Sequence, residues 1–246
     1  MAIDAVIFDW GGTLTPWHVI DPLDSWLAYA EVAAPAQARA LASSLHEAEE
    51  FRWQQQSVSR GEIGTGRLDE LFAHVGVDTT SPLHHDALNA YLRWWDPHTV
   101  ADSDARPLLM ALRERGIAIG VLSNTLWPRW HFDEVFARDE LTEYIDVAVF
   151  TSELEVGKPH AEAFLAVLDA LSITDPSRAV FVGDRAFDDV HGAQSVGMRG
   201  ILFPHNNFRA GEVTEHDVTP DAVVPRLADV LSVIDRWISE SVPGVS

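Results

Sequence analysis

Asp9, the run Ser123-Asn124-Thr125 and the pair Gly183-Asp184 each stand just beyond a short apolar run: Ala5 to Phe8, Ile117 to Leu122 and Ala179 to Val182. Carboxylate, hydroxyl and amide groups gathered in this way lie where open parallel sheets bind ligands, outside the carboxyl ends of their strands. A fourth group, Lys158, is marked by composition. Of 17 lysines and arginines it is the only lysine. A compact ammonium with three rotatable donors differs from a planar guanidinium, so the exception implies chemistry at this position that requires lysine.

The elements that must position these groups follow from hydrophobic patterning. Val147 to Phe150 and Ile201 to Phe203 join the three runs above. All five are too short for helices, lack polar alternation and are rich in β-branched or aromatic residues, as strands buried on both faces of a parallel sheet are. Phe164, Val167, Leu168 and Leu171 keep the three-and-four spacing of one helix face, and Pro159 suits a first helical turn. Strands alternating with helices predict an α/β core. Residues 16–99 differ, showing helical stripes at Leu41, Leu45, Ala48 and Phe51, at Leu68, Leu71, Phe72 and Val75, and at Leu88, Tyr91, Leu92 and Trp95. Ser81-Pro82 reads as the start of the third helix. The spacing therefore predicts a helical insertion bounded by turn signals at Pro16 and at Asp96-Pro97. A last helix around Arg226 to Ile238 closes the core.

Four strings then carry a family resemblance. Phe8-Asp9-Trp10-Gly11-Gly12-Thr13-Leu14-Thr15 resembles the first motif of the haloacid dehalogenase-like hydrolase superfamily, and Leu122-Ser123-Asn124-Thr125 the second. Gly157-Lys158-Pro159-His160-Ala161-Glu162-Ala163-Phe164 is similar to the third, and the stretch from Val182 to Ala193, containing Gly183-Asp184 and Asp189, to the fourth. The resemblance implies a Rossmann-like parallel sheet core, residues 1–15 and 100–246, with a mobile helical cap, 16–99. It implies that Asp9 is a nucleophile that forms an aspartyl-phosphate with a small phosphorylated metabolite. It also implies a magnesium ion held by Asp9, the carbonyl of Gly11 and Asp184, since a hard cation takes oxygen ligands. Ser123, Asn124 and Lys158 would hold the phosphoryl group, with Asp189 supporting Lys158 or a metal-bound water.

One position departs from the pattern. The superfamily's phosphatases carry Asp-x-Asp in the first motif, and here the second carboxylate is replaced by Gly11. The metal contact survives, because it needs only a backbone carbonyl. The general acid does not, a loss of about 10²–10⁴-fold in rate that good leaving groups feel less than alkyl phosphates. His18, or a hydroxyl of the substrate itself, is a candidate replacement. Phosphonoacetaldehyde hydrolases use a cap lysine as a Schiff base, and no lysine lies in 16–99. Haloacid dehalogenases do not need the acidic pair Asp184 and Asp189, so dehalogenation ranks second, beside a phosphate-binding regulatory protein with impaired turnover.

Composition bounds the rest. A formal net charge of −21 over 246 residues repels nucleic acid and anionic membranes. There are no cysteines, so disulfides and thiol nucleophiles are excluded. No apolar run approaches a membrane span and the N-terminus lacks a basic region, which leads us to expect a soluble cytoplasmic protein. His84-His85, His131, His160 and His191 have no metal-site spacing and read as surface or helix-end residues. Trp26 and Trp94-Trp95 are expected to pack the insertion, and Trp10, Trp17 and Trp53 are candidates for the cleft wall.

Overall fold

The computed structural model describes residues 2–204 and 218–240. Six strands, β1 (Ala5–Phe8), β2 (Ala118–Ser123), β3 (Val147–Phe150), β4 (Ala179–Gly183), β5 (Arg199–Leu202) and β6 (Ala222–Val223), form one sheet in the order β3-β2-β1-β4-β5-β6. Every pairing is parallel. The central strand β1 is wholly buried, and alternation divides its residues between two layers. Val6 and Phe8 face one apolar cluster, Ala5 and Ile7 another. The first layer is covered by α5 (Ala105–Glu114), α6 (Arg129–Arg138) and α9 (Asp229–Glu240), once the insertion's α1 (Pro22–Ala33), α2 (Ala38–Val58), α3 (Leu68–Val75) and α4 (Pro82–Trp95) have been set aside. The second layer is covered by α7 (Ala161–Ala170) and α8 (Gly192–Ser195).

The insertion lies between β1 and β2 and has an apolar cluster of its own, centred on Trp26, Tyr29, Leu45, Phe72 and Tyr91. Leu126, from the loop after β2, packs into that cluster. The chain enters and leaves the insertion side by side, because the Asp102 N–H donates to the Leu14 carbonyl at 2.8 Å. Among the described residues no helix is long and apolar enough to cross a membrane.

The strands anticipated from the sequence are present, with shifted ends. β5 starts at Arg199, two residues before its apolar run, because a strand end needs only backbone pairing to Val180. β6 has just two residues and carries no pattern to read. α7 begins at Ala161 with His160 as its N-cap, so Pro159 precedes the helix and does not lie in its first turn. α1 was not anticipated, although Asp21-Pro22 is a cap signal: the Asp21 carboxylate accepts the Leu23 N–H. Ser81 caps α4 as expected. Phe51 leaves its stripe: it is 57% exposed on the far stretch of the 21-residue α2, where the chain turns toward a cleft.

Candidate functional site

The turn after β1 is built to present Asp9. Gly12 takes φ +87°, a left-handed conformation that glycine adopts without a Cβ clash. The N–H groups of Thr13 and Thr15 both donate to the Trp10 carbonyl. Asp9 is held between the strands on either side, its N–H donating to the Val182 carbonyl at 2.9 Å. Ser123 ends β2 next to it, and Asp184 follows β4; both are buried.

Lys158 reaches this point from the loop before α7. Its ammonium donates to Oδ1 of Asp9 and Oδ1 of Asp189, each at 2.7 Å. Its backbone is clamped as well. The Asn124 amide accepts from the Lys158 N–H at 2.9 Å and donates to its carbonyl at 3.1 Å. Gln56, on α2, donates to the same carbonyl at 2.6 Å. Asn124, expected at the substrate, thus spends its side chain on holding the lysine.

Asp189 is placed by a π-helical turn over Ala186–His191, and its Oδ2 accepts the Arg185 N–H at 2.9 Å. Gly183 makes room for it, since a Cβ there would lie 2.3 Å from the Asp189 carboxyl. Burial pushes Asp189 up to about 6, against the pull of the Lys158 ammonium. Burial raises Asp184 well above the usual carboxylate range, with Asp9 and Asp189 adding to the shift. Burial pulls the Lys158 ammonium down, but Asp189 and Asp9 outweigh it and hold the lysine above its ordinary value.

Ligand oxygens of Asp9, Asp184 and Asp189 lie within 4.8 Å of one another. Three buried carboxylates against one ammonium leave an excess of negative charge. An all-oxygen donor set of that charge fits a hard divalent cation such as magnesium. Gly11 stands on the same cleft, and a Cβ built on it would meet nothing within 4 Å. A side chain can therefore begin at this position without a clash at its Cβ.

Above these groups opens a cleft of about 1650 Å³. Trp10, Trp17 and Trp53 line it as expected, but so do Trp95 and Trp127. Trp26 packs the insertion as expected, and Trp94 stands edge to face with Trp95. His18, the candidate acid, also faces the cleft, 5.2 Å from the His98 ring centroid. His131 lies in the first turn of a helix, one of its two expected places, but not on the surface. It is 3% exposed in α6, and burial lowers it to about 4.

Sequence reasoning passed over a strap within the insertion. After Gln56, the Gly61 carbonyl accepts from the Gly157 N–H at 2.8 Å, and the Gly64 N–H donates to the Glu155 carbonyl at 2.9 Å. Thr65 Oγ1 donates to the Thr125 carbonyl at 2.7 Å and lies 2.9 Å from the Thr151 hydroxyl. Gln56 and Thr65 are buried here, but their partners are chiefly backbone carbonyls, which the residue types of a polar stretch do not mark.

The comparisons agree with this architecture. The haloacid dehalogenase-like hydrolase family matches residues 3–197. A glyceraldehyde 3-phosphate phosphatase from Methanopyrus kandleri is 29% identical over 246 aligned residues, covering 94% of this chain and 97% of that one. A ribulose-1,5-bisphosphate 5-phosphatase from Halopiger xanaduensis is 29% identical over 226, covering 87% and 91%. Among solved structures, a 2-haloacid dehalogenase from Pseudomonas syringae pv. Tomato superposes with a TM-score of 0.65 at 25% identity, covering 96% of this chain and 99% of that one. A phosphatase from Thermococcus onnurineus gives 0.64 at 22%, covering 94% and 98%. With the four motifs meeting at one edge of the sheet and the family match covering most of its length, this chain belongs to the haloacid dehalogenase-like hydrolases.

Proposed function

We propose that the chain is a magnesium-dependent phosphatase of a small phosphorylated metabolite, working through an aspartyl-phosphate on Asp9. The observation that carries this reading is the charge arrangement of Asp9, Asp184, Asp189 and Lys158, three carboxylates around one ammonium. Phosphatases similar to it over nearly its whole length support it.

Asp9, Asp184 and the Gly11 carbonyl would hold the ion, which when bound neutralises phosphate charge and so favours attack by an anionic nucleophile. An Asp9 carboxylate oxygen forms the bond to phosphorus while the bond to the leaving oxygen breaks; water then attacks the phosphoryl group and restores Asp9. Lys158 and Ser123 stabilise the phosphoryl oxygens, Asn124 fixes the loop that carries the lysine, and Asp189 keeps the ammonium pointed inward. Residues 16–99 act as a cap that limits water at the site.

Dehalogenation is the second reading, favoured by Gly11. The buried pair Asp184 and Asp189 counts against it, since attack on carbon gives a metal-binding acidic cluster nothing to do. Brief exposure to acetyl phosphate with magnesium tests the proposal. A single phosphoryl mass increase, absent in Asp9→Asn and after chelation, is the expected result; no adduct, together with chloride release from a 2-haloacid, would overturn it.

A further inference from the structure

Resting on the phosphatase reading, we propose that the substrate is the phosphate monoester of a phenol, with a planar and otherwise uncharged body seated in the tryptophan-lined part of the cleft. Two independent features carry this: the walls of the cleft and the absent carboxylate at residue 11.

The cleft runs from Asp9 and Lys158 to Trp17, Trp53, Trp95 and Trp127, all half-buried. Trp95 and Trp127 meet edge to face with centroids 5.3 Å apart, and the Trp127 Nε1–H donates to the Tyr91 hydroxyl at 3.1 Å, which fixes the plane of that indole. Val19, Phe51 and Val58, which border the cleft, are 83%, 57% and 77% exposed and add apolar surface at its rim. Indoles offer a flat aromatic body a large stacking area.

Charge narrows the class further. Apart from Lys158, the cations of the described lining are Arg60 and Arg185, set against Glu47, Glu49, Glu50 and Asp188. The Arg60 guanidinium lies 5.8 Å from the Phe187 ring centroid, and that of Arg185 lies 5.9 Å from the Trp17 centroid and 3.7 Å from Asp188. A second phosphate or a carboxylate on the substrate would meet this acidic wall, so one phosphate is what the site accommodates.

Gly11 gives the chemical half of the argument. Without a carboxylic acid there, the site favours an ester whose leaving oxygen can depart as an anion, whether or not His18 at the cleft supplies a proton. A phenol ionises at about 10, several units below an aliphatic alcohol, and its anion departs unassisted. In the first step the Asp9 oxygen bonds to phosphorus, the phosphorus–oxygen bond to the aryl group breaks, and its electron pair leaves with the phenolate, which takes a proton from solvent. Water then attacks the aspartyl-phosphate, releasing inorganic phosphate and one proton. One water is consumed per ester, and no other reactant is needed.

The test compares the magnesium-loaded enzyme on 1-naphthyl phosphate, phenyl phosphate and glycerol 3-phosphate. We expect kcat/KM on the aryl esters to exceed that on glycerol 3-phosphate by 100-fold or more. KM should be lower for naphthyl than for phenyl, because two leaving groups of comparable acidity differ in stacking area. Trp53→Ala should raise the naphthyl KM at least tenfold with kcat within threefold, and Trp53→Phe should recover most of it; Trp17→Ala serves as a second variant of the same wall. Equal or better turnover of glycerol 3-phosphate, with naphthyl and phenyl KM alike, overturns this inference. In that case acetyl phosphate labelling of Asp9 leaves the phosphatase reading standing; absence of labelling and of phosphate release from all three esters overturns both.

Discussion

Gln56 and Lys158 are 102 residues apart in sequence, yet the side chain of the first donates to the backbone carbonyl of the second at 2.6 Å. The insertion thereby touches the loop that aims the ammonium, beside the donor from Asn124. Gln56→Ala should lower kcat roughly tenfold, because small displacements of a group positioned for chemistry are costly. The Gly157 amide, paired with Gly61, should exchange faster in the same variant by hydrogen exchange. Unchanged kcat and protection would mean that Asn124 alone fixes the loop. The strap also bears on closure about Pro16 and Pro97: the segment 56–65 is expected to stay with the core while the remaining helices move. Structures with and without a phosphate analogue check this.

Lys158→Arg should be nearly as harmful as Lys158→Ala. The ammonium fits between two carboxylate oxygens at 2.7 Å with 2% exposure, and a guanidinium has neither the size nor the donor geometry for that position. Turnover of an aryl phosphate checks it, and full activity in the arginine variant would remove the case for lysine.

Gly11→Asp should raise turnover of alkyl phosphates by tenfold or more, and it should also make the rate less sensitive to leaving-group acidity. The surroundings offer no obstacle at the Cβ, since nothing beyond residue 11 and its two chain neighbours lies within 4 Å of it. The variant should clear a phosphorylated Asp9 faster than the natural chain, measured as decay of the mass adduct. No gain on alkyl esters and no change in decay would remove residue 11 from the leaving-group argument.

His131 should make stability pH-dependent. Its native pKa is lowered to about 4 by burial, so between its unfolded value and 4 the unfolded chain binds a proton that the native chain does not. Stability is therefore full above about 6.5 and falls as pH drops toward 4, by on the order of 3 kcal/mol. Its neighbours are the rings of Trp127, Trp130 and Phe132. His131→Phe should flatten the urea stability profile across that window, and an equally steep profile in the variant would assign the slope elsewhere.

The sheet was legible because buried parallel strands are short runs with one composition, and Ala5 to Phe8 needed no context. Asp9, Ser123, Lys158 and Asp184 were legible because each follows such a run or stands in a motif. Gln56 was not: its partner is a backbone carbonyl, and backbone carbonyls leave no trace in side-chain identity. His131 stands at a helix end, one of its two expected places, but its burial was hidden for a related reason. A histidine near a helix start reads as polar surface, and only the packing of α6 on β3, where Phe132 stacks on Phe150 at 4.0 Å, shows that the face turns inward. Trp95 looked like a packing residue and is one, yet its other face borders the cleft. Periodicity assigns a side chain to one face, whereas an indole is large enough to serve two.

The chain has one lysine, and that lysine is buried in the candidate site. Reagents that acylate amines consequently find a single side-chain target in the protein besides its α-amino group. Because Lys158 is 2% exposed and its ammonium is bound to Asp9 and Asp189, its acylation rate becomes a clock for how often the site opens. A phosphate analogue that holds the site shut should slow that clock, and the protein carries this reporter without any engineered label.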